Sequence, residues 1–152
     1  MKFKVYKNEK QLRNEEFYFN DQKIIFIFHG LFGRAKNWHS IALRISSIFD
    51  GTIIVFDLRN HGENEPSNEI SYLIMVNDVY QFVKRKKINK FSIIGHSMGG
   101  KLGMLFTLLY PQFVNQLFVV DIAPVNYPRE EIEIVDHLLK INVKCCKSRN
   151  EV

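Results

Sequence analysis

Four runs of β-branched and aromatic residues, Ile24 to Phe28, Thr52 to Phe56, Phe91 to Ile94 and Leu117 to Val120, divide the chain. Between them the apolar residues change from continuous to helical spacing. A short unbroken apolar run bounded by turn residues has the pattern of a strand buried on both faces, as strands of parallel sheets are. The intervening segments are amphipathic. Trp38, Ile41, Ala42, Ile45 and Ile48 share one helical face, and Leu73, Val76, Val79, Tyr80 and Val83 do the same within Ser71 to Lys87. After Gly99-Gly100 a third helical pattern runs through Leu102, Leu105, Phe106 and Leu109 and stops near Pro111. Strand and helix in regular alternation predict an α/β fold, an open and mostly parallel sheet covered by helices on both faces, with sites at the carboxyl ends of strands. Ahead of it, Phe3, Val5 and Tyr6, then Phe17, Tyr18 and Phe19, flank the polar stretch Lys7 to Glu15 and predict an opening pair of strands.

With 152 residues, 46% of them hydrophobic, the chain can bury one sizeable core and is too short for two ordinary domains. The net charge of +5 is scattered apart from Lys84, Arg85, Lys86 and Lys87, which close the second predicted helix. Cations there complement the helix dipole, so a solvated helix end is favoured and no nucleic-acid partner is expected. Cys145 and Cys146 are adjacent, which gives neither a disulfide framework nor metal-ligand spacing and suits a reducing compartment. The most apolar segment, Ile24 to Phe28, is far too short to span a bilayer. A cytoplasmic chain with no membrane span is the expectation.

Chemistry concentrates where the third strand meets the third helix. Gly95-His96-Ser97-Met98-Gly99 fits G-x-S-x-G and lies in the strand-to-helix context that this motif requires. The flanking glycines permit a sharp turn that lifts the Ser97 hydroxyl above the sheet, so Ser97 is the candidate nucleophile. The backbone N–H of Met98 is one oxyanion donor, and His29-Gly30-Leu31-Phe32-Gly33, ending the first buried strand, is placed to supply the Leu31 N–H as the second. With a nucleophile on such a turn the other triad members follow in chain order. Asp121 ends the next strand and is preferred as the carboxylate that orients the base, against a reading as a helix or turn cap. Asp57 precedes the serine and is expected to organise the loop Arg59-Asn60-His61-Gly62. His137, the one histidine after Asp121, falls on an amphipathic pattern within Glu131 to Lys140, where packing or surface exposure is the favoured role. It is a secondary candidate for the base.

These stretches, with Asn37-Trp38, Gly100-Lys101, Asp121-Ile122-Ala123-Pro124-Val125 and Tyr127, resemble the α/β-hydrolase superfamily and, within it, the YbfF-like esterases. The resemblance implies an α/β-hydrolase fold and hydrolysis of acyl esters or thioesters through an acyl-enzyme, with no metal or organic cofactor. It also supports Asp121 as the acid. Glu63-Asn64-Glu65-Pro66-Ser67 departs from the family's wording, which has serine two residues after the glycine of Arg-Asn-His-Gly. Family members also continue through a helical cap, two further strands and a loop bearing the catalytic histidine. Residues 1–128 are therefore expected to be the N-terminal part of the hydrolase core, 129–143 the start of the cap and 144–152 a polar tail, with the histidine beyond the chain. Missing strands would expose a sheet edge open to a complementary C-terminal chain or to self-association. Two alternatives remain: an inactive fragment lacking the triad histidine, and another chemistry on the same fold, such as that of a lyase or dehalogenase.

Overall fold

The computed structural model of the chain describes residues 1–12 and 23–126. Its elements run β1 (Phe3–Lys7), β2 (Lys10–Leu12), β3 (Ile24–Phe28), α1 (His39–Ile48), β4 (Thr52–Phe56), α2 (Tyr72–Arg85), β5 (Phe91–His96), α3 (Met98–Leu109) and β6 (Val114–Val120). They build one sheet in the order β2-β1-β4-β3-β5-β6. β4, β3, β5 and β6 run parallel to one another, while β1 runs antiparallel to β4 with Phe3 opposite Phe56 and Val5 opposite Ile54.

The unbroken apolar runs of β3 and β4 are buried on both sides because each side meets a different helix layer. Phe26, Phe28, Ile54 and Phe56 point with Phe91 and Ile93 into a core shared with Val76, Val79, Phe82 and Val83 of α2 and Leu102 and Phe106 of α3. Ile27, Ile53 and Val55 point the other way, against Ala42, Leu43 and Ile45 of α1. Aromatic rings fill the thicker layer: Phe26 stacks on Phe91 with centroids 4.0 Å apart, and Phe56 meets Phe82 edge to face at 4.9 Å. Offset and edge-on pairs of this kind contribute about 0.5–1.5 kcal/mol beyond their burial.

Local signals set the helix ends. Ser71 caps α2, its Oγ accepting the Ile74 N–H at 3.2 Å, and at the other end Lys87 turns left-handed (φ 54) while the Ile88 N–H reaches the Val83 carbonyl at 3.0 Å. The basic cluster thus closes α2, and Lys86 lies 6.0 Å from the centre of the Phe3 ring. Among the described residues no helix is long and apolar enough to cross a membrane.

Two expectations are corrected. The partner of β1 is Lys10–Leu12, drawn from the polar stretch expected to separate two strands, because Asn8 (φ 48) and Glu9 (φ 61) make a two-residue left-handed turn that folds the chain straight back; Phe17 to Phe19 lies outside the described residues. β6 pairs only with β5 among the described residues, which leaves the sheet edge open as expected, but Phe118, Val119 and Val120 are exposed where a strand buried on both faces was expected. Element ends also move: β5 extends two residues past Ile94, β6 begins at Val114, and a 3-10 turn over Ala35–Trp38 precedes α1.

Candidate active site

The ends of β3, β4, β5 and β6 lie along one edge of the sheet, and each is followed by a non-glycine residue in the left-handed region: Phe32 (φ 60), Asn60 (φ 60), Ser97 (φ 50) and Asp121 (φ 57). Each such residue costs about 1–3 kcal/mol and persists only where its surroundings fix it.

At Ser97 the surroundings are the sheet and α3. Its amide donates to the Val120 carbonyl at 3.0 Å, and its own carbonyl accepts the Gly100 and Lys101 N–H groups at 2.8 and 3.1 Å. The serine is thereby held at φ 50, ψ −117, between the last residue of β5 and the first of α3. The glycines of the motif are needed for closeness. A Cβ on Gly95 would lie 2.7 Å from Gly100 Cα, and one on Gly99 would collide with the Phe28 carbonyl. Met98, first in α3, has an N–H with no carbonyl a turn earlier to receive it, and its side chain is buried.

The loop after β3 lies against this turn, since a Cβ on Gly30 would come within 3.3 Å of Ser97 Cβ and 2.8 Å of His96 Nδ1. The Gly30 carbonyl accepts from His29 Nδ1 at 2.8 Å and from the Gly33 N–H at 3.0 Å. In a planar trans peptide the N–H is antiparallel to the carbonyl, so the Leu31 N–H points away from those two donors. His29 itself is buried. Its Nε2 accepts the Leu58 N–H at 3.1 Å, which places the proton on Nδ1. Burial pushes its pKa below the ordinary 6.5, outweighing the upward pull of the Gly30 carbonyl, so the ring is neutral at pH 7.

Asp57 organises the loop after β4, as expected from the sequence, and also ties it to the loop after β3. Its buried carboxylate accepts the Ala35 N–H at 2.6 Å and the Glu63 N–H at 3.1 Å. Gly62 (φ +62) presses so closely on it that a Cβ there would overlap the carboxylate. Asn64, where the resemblance has serine, holds the turn by donating to the Asp57 and Leu58 carbonyls at 2.6 and 2.9 Å. Arg59 reaches α2 instead of the site, paired through two 2.8 Å bonds with Asp78, whose carboxylate raises its pKa.

Asp121 follows the Val120 carbonyl that binds the Ser97 amide, so the two sequence-predicted side chains start from adjacent backbone. Its carboxylate is 86% exposed, and His96 Nε2 lies 3.8 Å from it. His137 lies outside the described residues, and the structure brings no histidine after Asp121 to the site within them. Three His, Cys, Asp or Glu side chains that could hold a metal ion do not gather anywhere among the described residues. The two histidines that pin the loops, His29 and His61, have no separate role assigned from the sequence. Their one sequence signal is that each stands directly before a glycine at the end of a strand or turn.

The model of the alpha/beta hydrolase fold family matches residues 23–144. An abhydrolase domain-containing protein of Schizosaccharomyces pombe is 44% identical over 100 residues, 66% of this chain and 37% of that protein. An ethanol acetyltransferase of Hanseniaspora uvarum is 31% identical over 151 residues, 99% of this chain and 44% of its own. Among solved structures a marine microorganism esterase matches with a TM-score of 0.79 and 32% identity over 98% of this chain and 54% of its own. The chain thus spans less than half the length of these curated relatives. With the family model covering residues 23–144, most of the sequence, the chain belongs to the α/β-hydrolase fold family.

Proposed function

We propose that this chain carries the nucleophile half of a serine esterase acting on acyl esters or thioesters. The observation that carries the reading is the strained elbow: a serine at φ 50, ψ −117, at the N-terminus of α3 and beside the Gly30 loop. Ser97 Oγ attacks the acyl carbonyl, and the Met98 and Leu31 N–H groups receive the charge that develops on its oxygen. A histidine takes the Ser97 hydroxyl proton in that attack and gives it to the departing alkoxide or thiolate, then takes a proton from the water that attacks the acyl-enzyme and returns it to Ser97 Oγ as the acid leaves. Asp121 orients that histidine, which comes from chain beyond the described residues or from a complementary chain paired with β6. In this reading residues 129–143 begin a helical cap over the site and 144–152 form a polar tail. The 32% identical marine esterase supports hydrolysis.

A second reading shares the acyl-enzyme and differs in the acceptor. The Hanseniaspora relative, matched along nearly this whole chain, is named for acetyl transfer to ethanol, so an alcohol in place of water would release an ester. Both are tested by incubating the chain with p-nitrophenyl butyrate, with and without ethanol, and with a fluorophosphonate probe, beside Ser97→Ala. The expected result is labelling at Ser97 and p-nitrophenol release, both absent in Ser97→Ala, with ethyl butyrate formed only if the acceptor site takes alcohol. Labelling that persists in Ser97→Ala, or a folded chain that neither turns over nor labels even when a complementary C-terminal chain bearing the histidine is added, would sink the esterase reading, whereas activity that needs the added chain would place the histidine there.

A further inference from the structure

The loops after β3 and β4 are fastened by two imidazoles reaching in opposite directions. His29 crosses from the first loop to accept the Leu58 N–H, and His61 crosses back, its Nε2 accepting the Phe32 N–H at 3.2 Å. His61 Nδ1 lies 2.8 Å from the Arg59 carbonyl. An amide can only donate and a carbonyl can only accept, so His61, like His29, is neutral with its proton on Nδ1. The two rings sit 5.1 Å apart.

What this pairing holds is Leu31. The peptide before its Cα is fixed by His29 and the Gly33 N–H on the Gly30 carbonyl, and the peptide after it by His61 on the Phe32 N–H. Phe32 stays left-handed although its side chain is 65% exposed, so burial of its ring does not hold the turn. We propose that His61 is a positioning residue: by capturing the Phe32 N–H it keeps the Leu31 N–H turned toward the oxyanion above Ser97. This rests on the esterase reading of Ser97 and Leu31 and adds to it a residue outside the triad and the oxyanion donors.

Two variants separate this role from simple support of the Arg59 turn. His61→Gln keeps an acceptor at the reach of Nε2, whereas His61→Asn keeps a donor at the place of Nδ1–H and has no acceptor long enough for Phe32. On the 152-residue chain, nitrogen NMR is expected to show His61 protonated on Nδ1. Amide exchange at Phe32 should quicken at least about tenfold in His61→Asn and stay near the parent rate in His61→Gln, while the amides of β3 and β5 remain protected in both. Fluorophosphonate labelling of Ser97 should slow about tenfold or more in the Asn variant and recover in the Gln variant, since loss of one whole oxyanion donor costs about a hundredfold to a thousandfold. A proton on Nε2, equal Phe32 exchange in the two variants, or unchanged labelling in His61→Asn with Phe32 released would each overturn the proposal. Absence of labelling in the parent chain, both alone and with a complementary C-terminal chain that brings the histidine, is a different failure, which overturns the reading of Ser97 itself and is seen without any His61 variant.

Discussion

Gly62→Ala tests the physical account of how the site's loops are joined, because two separate penalties meet at one methyl group. Alanine at φ +62 costs about 1–2 kcal/mol through its left-handed backbone. Its Cβ would also occupy the space of the Asp57 carboxylate, which is 2% exposed and bound to the Ala35 and Glu63 amides at 2.6 and 3.1 Å. Moving the carboxylate loses at least one charge-assisted hydrogen bond inside the protein, about 1.5–3 kcal/mol. The two together predict a loss of about 2.5–5 kcal/mol, a large share of the roughly 5–15 kcal/mol that holds a domain folded. With a urea dependence of about 1–3 kcal/mol per molar, the unfolding midpoint should fall by roughly 2 M. A double-mutant cycle isolates the cause. In an Asp57→Ala background the methyl group finds room, so Gly62→Ala should there cost only the backbone part, leaving a coupling of about 1.5–3 kcal/mol between the sites. Equal cost in both backgrounds, within about 0.5 kcal/mol, would refute the steric argument and leave backbone strain alone.

Two further outcomes follow from the same geometry. The folded-state pKa of His29 lies below 6.5, so the unfolded chain binds more protons below neutrality: stability should be complete above pH 6.5 and fall as pH drops from there through the folded pKa. Urea midpoints measured between pH 8 and 5 should show a shallower acid decline in His29→Gln, which keeps an acceptor for the Leu58 N–H, and identical slopes would remove His29 as the source. Ser97→Gly should raise stability by about 1 kcal/mol, since glycine accepts φ 50 without strain and loses part of that gain to its greater freedom when unfolded, while labelling disappears. A lower urea midpoint in Ser97→Gly would show that the elbow stores no strain.

The sheet could be read from the sequence because burial against a layer imposes a pattern on consecutive residues. Ile24 to Phe28 and Thr52 to Phe56 are apolar without interruption since α1 covers one side and α2 and α3 the other, and both strands lie where those runs predict. The small glycines of Gly95-His96-Ser97-Met98-Gly99 were equally informative, as only they allow β5, α3 and the end of β3 to touch. The hairpin partner of β1 escaped because Lys10-Gln11-Leu12 lies at the edge, exposed or half-buried, and carries no apolar alternation; Asn8-Glu9, the one cue, lacks the glycine that usually marks such a turn. β6 reads as buried from Leu117 to Val120 because its composition is as apolar as that of the inner strands, whereas among the described residues it lies at the sheet's edge and pairs with β5 alone.

The loop ties were invisible for a different reason. His29 to Leu58, His61 to Phe32 and Asp57 to Ala35 each join residues more than twenty positions apart through one side-chain atom and one backbone amide, so nothing repeats along the chain to signal them. They become necessary once the strand ends are seen together. Left-handed backbone at Phe32, Asn60, Ser97 and Asp121 makes the carboxyl edge of the sheet locally unfavourable, and an isolated loop would relax out of it. Ser97 is held by regular structure on both sides, through β5 and α3, but Phe32 and Asn60 lie in loops, where side chains must do what a sheet or helix does elsewhere. Asn60 is held by its amide, which bonds both the amide and the carbonyl of Ser67 at 2.6 and 2.8 Å, and Phe32 by His61. In the proposed mechanism the position of the Leu31 N–H therefore depends on polar residues of the following loop as much as on the glycines of its own, and substitutions around Asp57 to Ser67 should disturb labelling of Ser97 without touching a reacting atom.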